Sequence, residues 1–175
     1  MYRHTISLSD KRYDEIYEGI QKSYKNSCVL WIEEIKNDHL ETEYQAQKES
    51  ILQLRGKVEE HTLYHGTGEH IVDIIINKGF DPSANRVSIL GKGTYFAKNA
   101  SYSKNYAPPS MGDEISFMLI CDVLVGKTHV YGRDTTINTT LHDNSVDHLN
   151  SPSIYVTPYK YGAIPRYVVA FYKVT

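Results

Sequence analysis

The chain of 175 residues is long enough to bury a core as one domain. Its hydrophobic fraction of 41% and charged fraction of 23% are typical of a soluble globular protein. A formal net charge of −2 gives no broad positive field, so composition does not indicate a nucleic-acid-binding protein and leaves open only a small local basic patch. No stretch approaches the roughly 20 apolar residues that cross a bilayer, and no apolar signal region follows residues 1–4.

Two cysteines, Cys28 and Cys121, are too few for a disulfide framework or a metal-ligand cluster. Both lie in apolar runs, which predicts buried free thiols. Free thiols are typical of a reducing compartment, so we expect an intracellular protein, either cytoplasmic or nuclear. We expect no metal site and no membrane partner.

Residues 1–57 are predicted to form a helical lead-in that contains one strand. Apolar residues recur at helical spacing in two segments, which are Tyr13, Ile16, Tyr17, Ile20 and Tyr24, and then Leu40, Tyr44, Ile51 and Leu54. Ser9 or Asp10 is a candidate cap for the first helix, and Asn37 or Asp38 for the second, which Gly56 ends. The continuous apolar run at residues 28–32 predicts a buried strand between the two helices.

Residues 58–175 carry the motifs with chemical meaning. A short strand at residues 62–64 is predicted to lead into His65, and Thr67 is a candidate cap for a helix that Gly79 ends. We expect the apolar face of that helix to be Ile71, Ile74 and Ile75. Residues 81–90 carry turn residues and weak periodicity, which predicts a loop.

The remaining chain is predicted to be mostly strands. Asn99 is a candidate cap for a short helix that ends before Pro108 and Pro109. Strands are predicted at residues 115–125, 127–131, 153–156 and 167–171, with a polar loop at 132–152. Early helices and late strands favour an α+β fold with a mostly antiparallel sheet. No composition shift marks a boundary, so we expect residues 1–175 to form a single domain.

Three short motifs follow one another at close spacing. They are His65-Gly66-Thr67, then Gly91-Lys92-Gly93-Thr94-Tyr95-Phe96-Ala97, and then Ser103 and Tyr106. A glycine lets backbone approach a ligand, so the N–H and C=O of Gly66 can pair with a planar amide. The imidazole of His65 can hydrogen-bond a ribose hydroxyl. Taken alone, a strand-end histidine is more often structural than catalytic, and a glycine pair often only makes a turn.

In this order and spacing, the motifs resemble the NAD-binding core of the poly(ADP-ribose) polymerase family, the diphtheria-toxin-like ADP-ribosyltransferases. The resemblance covers residues 58–174. It implies the ADP-ribosyltransferase fold, in which mostly antiparallel split sheets are flanked by helices, and here no autoinhibitory helical domain. It also implies NAD⁺ as co-substrate and no metal. The site residues that it implies are His65, Gly66, Thr67, Asn85, Arg86, Tyr95, Phe96, Ala97, Ser103, Tyr106 and Ile154.

The resemblance gives these residues roles. In the family, the histidine that matches His65 binds ribose hydroxyls, the glycine that matches Gly66 holds the nicotinamide amide, and the tyrosine that matches Tyr95 supports the nicotinamide ribose. Ser103 and Tyr106 are three residues apart and are predicted to share a helix face. There the hydroxyl would bond the carboxamide and the ring would stack on the pyridinium. Tyr102 falls outside that face and receives no role. Asn85 and Arg86 lie in the loop that matches the donor-site loop, within reach of adenosine or phosphates.

The third catalytic position departs from the polymer-forming members. They have a glutamate where this chain has Ile154, and members with an aliphatic residue there transfer a single ADP-ribose. A carboxylate would bind a ribose hydroxyl and polarise an acceptor hydroxyl, and isoleucine does neither. Glu114, Asp143 and Asp147 are off the matched strand, and we interpret them as solvated loop or strand-end charges.

The sequence leaves three hypotheses open. The first is a mono-ADP-ribosyltransferase that modifies a protein side chain, with the chain itself as a candidate acceptor. The second is an inactive module that binds NAD⁺ or ADP-ribose. The third is a transferase that modifies nucleic-acid ends, against which the absence of a basic stripe argues.

Overall fold

The computed structural model describes residues 1–86 and 88–173, and shows a mixed α+β fold in which four helices pack around one sheet. Val87 and residues 174–175, which the predicted loop and the predicted domain include, lie outside this description. The helices are α1 Lys11–Gln21, α2 Asp38–Arg55, α3 Glu69–Lys78 and α4 Ala100–Ser103, the last followed by a 3-10 turn at Lys104–Tyr106. The strands are β1 Tyr2–Thr5, β2 Cys28–Lys36, β3 Glu59–Thr67, β4 Thr94–Ala97, β5 Ile115–Val125, β6 Thr128–His129, β7 Asn144–Val146, β8 Ile154–Thr157 and β9 Ala163–Tyr172.

The sheet is nearly divided in two. Its order is β1-β2-β9-β5-β3-β4-β8-β7-β6, and every neighbouring pair is antiparallel except β6 with β7. Within the described residues, β3 and β4 are joined through the single pair Tyr64 and Ala97. We call the gap between β3 and β4 beyond this pair the seam. The predicted α+β fold with a mostly antiparallel, split sheet is therefore confirmed.

The caps of the first two helices are those that the sequence predicts. Asp10 caps α1 by accepting a hydrogen bond from the Arg12 amide at 2.9 Å. Asn37 caps α2 by accepting from the Leu40 amide at 3.2 Å. Gly56 ends α2 with φ of 77°, a left-handed conformation that favours glycine.

Strand β5 is buried on both faces, which explains its continuous apolar sequence. On one face, Leu119 packs in the cluster that includes Val72 and Ile76 of α3. On the other face, Ile120 packs in the cluster that includes Ile20 of α1. The core therefore lies on both sides of the strand next to β3, and holds the site-bearing strand rigidly.

Several local predictions are wrong. Cys28 is exposed because it starts β2, a strand that is only partly buried, whereas Cys121 is buried as expected. Thr67 belongs to β3, and Gly68 is the residue that precedes α3. The buried face of α3 is shifted by one residue from the prediction, to Val72, Ile75 and Ile76, because Ile74 points outward.

The segment predicted as a polar loop at 132–152 contains strand β7 and a buried charge. The Asp143 side chain is fully buried, and it accepts hydrogen bonds from Arg55 Nε at 2.9 Å and from the Lys127 amide at 2.7 Å. Tyr159 donates a third bond to this carboxylate at 3.1 Å. The interpretation of Asp143 as a solvated charge is therefore wrong, since it ties α2 to the β6 side of the sheet.

Candidate active site

The imidazole of His65 is held in one orientation at the seam. Its Nδ1 atom lies 2.8 Å from the backbone carbonyl oxygen of Tyr95. A carbonyl oxygen only accepts, so Nδ1 carries the proton and Nε2 is the acceptor of the neutral ring. The rings of Phe80 and Phe96 pack against it at centroid distances of 5.3 and 5.5 Å. Burial lowers the pKa of His65, partly offset by the bond to Tyr95, which favours the neutral ring.

Gly66 is needed for the close packing of α4 on β3. A Cβ atom at this position would lie 1.9 Å from the carbonyl oxygen of Ser103 and 3.2 Å from the amide nitrogen of Ala107. No other residue type fits there without moving the helix. The glycine that the sequence analysis links to ligand approach therefore also brings Ser103 beside His65.

The backbone of Gly66 faces the seam. In a strand, the N–H and C=O groups of successive residues point alternately to the two neighbouring strands. The backbone groups of Gly66 therefore point to the same side as those of Tyr64. The Tyr64 carbonyl accepts a hydrogen bond from Ser103 Oγ at 3.0 Å, on the side away from β5. The amide and carbonyl of Gly66 are thus directed into the gap between the two halves of the sheet.

Ser103 and Tyr106 differ in their surroundings. Ser103 is buried and its hydroxyl bonds β3, whereas Tyr106 is 58% exposed. The chain passes from α to 3-10 geometry after Ser103, and residues three apart lie on the same side in both kinds of helix. The structure brings both residues to the same end of β3, with Ser103 turned into the core and Tyr106 at the surface.

Tyr102 is a neighbour of Tyr106 that the sequence analysis missed. The two hydroxyl oxygens lie 3.0 Å apart, and the ring centroids lie 5.4 Å apart. The hydrogen bond with Tyr106, with burial as a second cause, raises the pKa of Tyr102 to about 12. The spacing of four residues between them is the signal that sequence reasoning had available.

Tyr95 lies on the short strand β4 with its ring partly buried. Its hydroxyl accepts a hydrogen bond from the Leu90 amide at 2.9 Å and donates to the Gly91 carbonyl at 2.7 Å. The next two residues, Phe96 and Ala97, are buried in the core. Within the Tyr95-Phe96-Ala97 motif, Tyr95 therefore has the polar contacts, and its neighbours fix the strand by packing.

Ile154 begins strand β8, opposite Ala97 of β4, and its side chain is buried. Asp147 Oδ1 accepts hydrogen bonds from the amides of Ile154 at 3.0 Å, Ser153 at 2.9 Å and His148 at 3.0 Å. Asp147 directly follows β7 and is only partly buried, so it is a strand-end charge, and its carboxylate also holds the loop that leads into β8.

The remaining predicted residues lie at the margin of the site. Asn85 Nδ2 donates to the Gly93 carbonyl oxygen at 3.4 Å, which ties the loop at residues 81–86 to the turn before β4. Arg86 is exposed. Thr67 is buried at the end of β3, opposite Phe117.

In residues 1–86 and 88–173, no group of at least three His, Cys, Asp or Glu side chains is placed to hold a metal ion. Over the same ranges, no helix has the length and apolar character needed to cross a membrane.

The comparisons with known proteins identify the family of the chain. Residues 10–154 match the sequence profile described as the poly(ADP-ribose) polymerase catalytic domain. The chain is 31% identical over 179 residues to protein mono-ADP-ribosyltransferase PARP14 of Homo sapiens, covering 94% of this chain and 10% of that protein. It is 30% identical to protein mono-ADP-ribosyltransferase PARP12 of Homo sapiens, covering 95% of this chain and 25% of that protein.

A third relative is protein mono-ADP-ribosyltransferase PARP10 of Mus musculus, 28% identical over 87% of this chain and 17% of that protein. The chain thus spans a quarter or less of the length of these three relatives. The matched profile covers the elements that carry His65, Tyr95 and Ser103, and it ends at Ile154, the first residue of β8. The chain therefore belongs to the poly(ADP-ribose) polymerase catalytic domain family.

Proposed function

We propose that this domain is a mono-ADP-ribosyltransferase. It takes NAD⁺, releases nicotinamide and attaches one ADP-ribose to a protein side chain, its own included. The observation that carries the proposal is the hydrogen bond from His65 to the Tyr95 carbonyl, because it leaves Nε2 as an acceptor at the seam. The names of the three relatives described above, each a mono-ADP-ribosyltransferase, support the same activity.

Nicotinamide fits the seam by hydrogen bonding and stacking. The amide and carbonyl of Gly66 face the gap and complement the two halves of a carboxamide. Ser103 Oγ, now bonded to the Tyr64 carbonyl, is near enough to this backbone to rotate its proton toward the same group. The exposed ring of Tyr106 is available to cover the pyridinium, a contact worth roughly 0.5–2 kcal/mol.

His65 then holds the nicotinamide ribose. Its Nε2 accepts a hydrogen bond from a ribose hydroxyl, which fixes the sugar relative to the bound nicotinamide. Such positioning counts because a displacement of about 1 Å at the reacting centre can cost roughly 100-fold in rate. The Tyr95 ring supports the sugar side of this arrangement.

The reaction breaks the bond between ribose C1′ and the nicotinamide nitrogen. The nitrogen keeps the electron pair, so nicotinamide leaves as a neutral molecule and C1′ becomes oxocarbenium-like. An acceptor carboxylate then donates a pair of electrons to C1′ and forms the new bond. No general base is needed for an acceptor that is already ionised.

Ile154 supports transfer of one unit. Chain growth needs a carboxylate that polarises the hydroxyl of a bound ADP-ribose acceptor. Ile154 is apolar, and the nearby Asp147 carboxylate uses Oδ1 for backbone amides. An apolar side chain at this position, with Asp147 engaged by the backbone of the same segment, supports the proposal of single transfer.

We also propose that residues 1–175 form a single domain, in which residues 1–57 are a lead-in to the NAD-binding core at 58–175. Strand β2 pairs with β9, the last strand of the core, which supports this unity. The proposed partners are NAD⁺ and a protein acceptor. The free cysteines Cys28 and Cys121 support an intracellular location, cytoplasmic or nuclear.

Intact mass measured after incubation with NAD⁺ tests the function. We expect single additions of ADP-ribose on the wild type or an added protein, release of nicotinamide, and neither with His65→Ala. A long ladder of additions contradicts mono-transfer. NAD⁺-dependent thermal stabilisation without product indicates an inactive binding module, and transfer confined to 5′-phosphorylated RNA indicates a nucleic-acid acceptor.

A further inference from the structure

We propose that residues 88–92 form a loop that is latched in place at the NAD⁺ site, and that the latch sets the affinity for NAD⁺. The latch consists of the Tyr95 hydroxyl on one side and residues 131–135 on the other. This inference rests on the proposed function and deepens it, because it assigns the Tyr95 hydroxyl and Gly91 a positioning role.

The first side of the latch is the phenol of Tyr95. Its oxygen accepts from the Leu90 amide at 2.9 Å, and its proton goes to the Gly91 carbonyl at 2.7 Å. A phenol has one proton to donate, so the hydroxyl has none for a ribose while the loop is latched. Tyr95 therefore acts on NAD⁺ with its ring and through the loop that its hydroxyl holds.

The second side of the latch is made by backbone groups. The Lys92 amide donates to the Thr135 carbonyl at 2.9 Å, and the Asp134 amide donates to the Ser88 carbonyl at 2.8 Å. These bonds join both ends of the loop to the segment that follows β6. Four hydrogen bonds in all, two from each side, thus fix this short stretch.

Gly91 is the point where the two sides meet. Its φ of 92° lies in the left-handed region that favours glycine. A Cβ atom there would lie 3.1 Å from Tyr131 Cβ and 3.2 Å from the Thr135 carbonyl oxygen. A side chain at this position therefore pushes the loop away from residues 131–135 without altering Tyr95.

The latch is coupled to the candidate catalytic histidine through one residue. The Tyr95 carbonyl orients His65, and the Tyr95 hydroxyl holds the loop. The hydroxyl is held by two hydrogen bonds and the carbonyl by a third, so the residue is fixed at both ends. The loop and the imidazole of His65 are thereby fixed relative to each other, on two sides of the space that NAD⁺ would occupy.

Two variants test the latch. Tyr95→Phe removes both hydroxyl bonds but keeps the ring and the carbonyl that orients His65. Gly91→Ala introduces a Cβ atom that crowds residues 131–135, and it leaves the Tyr95 residue unchanged. The matched control is Tyr44→Phe, which removes the hydroxyl of a buried tyrosine of α2 that donates to Glu60, away from the loop.

The first measurement is hydrogen exchange of the peptide at residues 88–92 without NAD⁺. We expect it to exchange about tenfold faster in both latch variants, with β5 unchanged. The second is steady-state transfer. We expect the KM for NAD⁺ to rise roughly 5- to 50-fold, with kcat changed less than about threefold, because the hydrogen bonds of the latch favour the loop conformation that binds NAD⁺. Tyr44→Phe is expected to match the wild type in both.

Unchanged exchange at residues 88–92 in both variants overturns the latch. Faster exchange with an unchanged KM overturns its role in NAD⁺ affinity. A fall in kcat at constant KM assigns Tyr95 to the chemical step instead, and also overturns the proposal. A wild type that neither binds nor consumes NAD⁺ overturns the proposed function itself. The exchange data then show separately whether the hydrogen bonds of the latch fix residues 88–92.

Discussion

The His65 Nδ1 atom and the Tyr95 carbonyl oxygen lie 2.8 Å apart, across the gap that separates the two halves of the sheet. This contact decides which nitrogen of the ring is protonated, because the carbonyl has no proton to give. It also makes the orientation of the imidazole depend on a backbone group. The orientation therefore survives any substitution of the Tyr95 side chain that leaves β4 in place.

Replacing His65 by alanine should abolish most transfer. The ribose would lose the acceptor that fixes it, and we expect kcat/KM to fall roughly 100-fold or more. His61→Ala is the control, since it removes a histidine of the same strand that contacts Tyr155 and Glu59 outside the site. Equal losses in both variants would indicate damage to β3 instead of loss of a ligand contact. Nicotinamide release, monitored by chromatography, measures transfer in both variants.

Transfer should be insensitive to pH until the solution is more acidic than the ordinary histidine pKa. Burial lowers the pKa of His65 below 6.5, so Nε2 remains an acceptor from mildly alkaline pH down to that value. We expect kcat/KM to be flat over this range and to fall only below it. A decline that begins above pH 6.5 would contradict the neutral, buried imidazole.

The same shift has a consequence for stability. Below pH 6.5, the unfolded chain binds a proton at this position before the folded protein does, so His65 lowers the free energy of unfolding as the pH falls. Above pH 6.5, the protonation of His65 no longer changes the free energy of unfolding. Urea titrations of the wild type and His65→Ala at several pH values isolate this contribution, and a difference that grows with rising pH above 6.5 would contradict it.

Gly66→Ala should displace α4 from β3. The added Cβ would lie 1.9 Å from the Ser103 carbonyl oxygen, so the helix has to move. We expect a loss of about 1–3 kcal/mol in the free energy of unfolding and the loss of nicotinamide binding. Gly19→Ala is the control, because its Cβ meets only the Tyr64 hydroxyl at an ordinary 3.4 Å. Thermal unfolding with and without nicotinamide measures both effects, and a fully stable Gly66→Ala that binds nicotinamide would refute the packing argument.

Arg55→Ala should destabilise the fold strongly. It leaves the fully buried Asp143 carboxylate without its cationic partner, which costs roughly 3–5 kcal/mol. Lys11→Ala is the contrasting variant, since the pair of Lys11 with Glu15 is exposed and should contribute less than about 1 kcal/mol. Urea denaturation followed by circular dichroism compares the two. Similar midpoints for both variants would show that Arg55 is not essential for the burial of Asp143.

Ile154→Glu alone should not produce a polymerase. The position is buried beside Ala97, so burial would oppose ionisation of the new carboxyl, and chain growth also needs a pocket for the acceptor ADP-ribose. We expect reduced stability and no products longer than one unit. Gel separation of products labelled from NAD⁺ is the measurement, and a robust ladder would refute this.

The parts of the fold that the sequence predicts are those with strong local signals. The caps Asp10 and Asn37 and the stop Gly56 form hydrogen bonds within a few residues, and residue type alone indicates them. Strand β5 is predicted at its observed bounds because it is apolar on both faces. Strand β7 is missed because its residues are mostly polar, and Asn144 is buried only by virtue of its bonds to Gly126 and Leu124.

The site residues also divide into those with a local sequence signal and those that depend on the folded chain. The motifs name His65 and Tyr95 as site residues, but the bond between them joins residues 30 apart and has no local pattern. The need for glycine at position 66 comes from Ser103, which only the folded chain brings near. The Tyr102–Tyr106 contact was within reach of sequence reasoning, since the two residues are four apart in the segment that the sequence predicts as a short helix.

Within the described residues, β3 and β4 pair only at Tyr64 and Ala97, so the ladder of backbone hydrogen bonds between them is interrupted at Gly66. A planar amide has a donor and an acceptor side by side, as a strand residue does, so a ligand amide at Gly66 would add the next rung. Ligand and protein would then form one ladder across the gap. Bound nicotinamide should therefore couple the unfolding of the β4-β8-β7-β6 half of the sheet to that of the β1-β2-β9-β5-β3 half, and exchange protection should rise in both halves together.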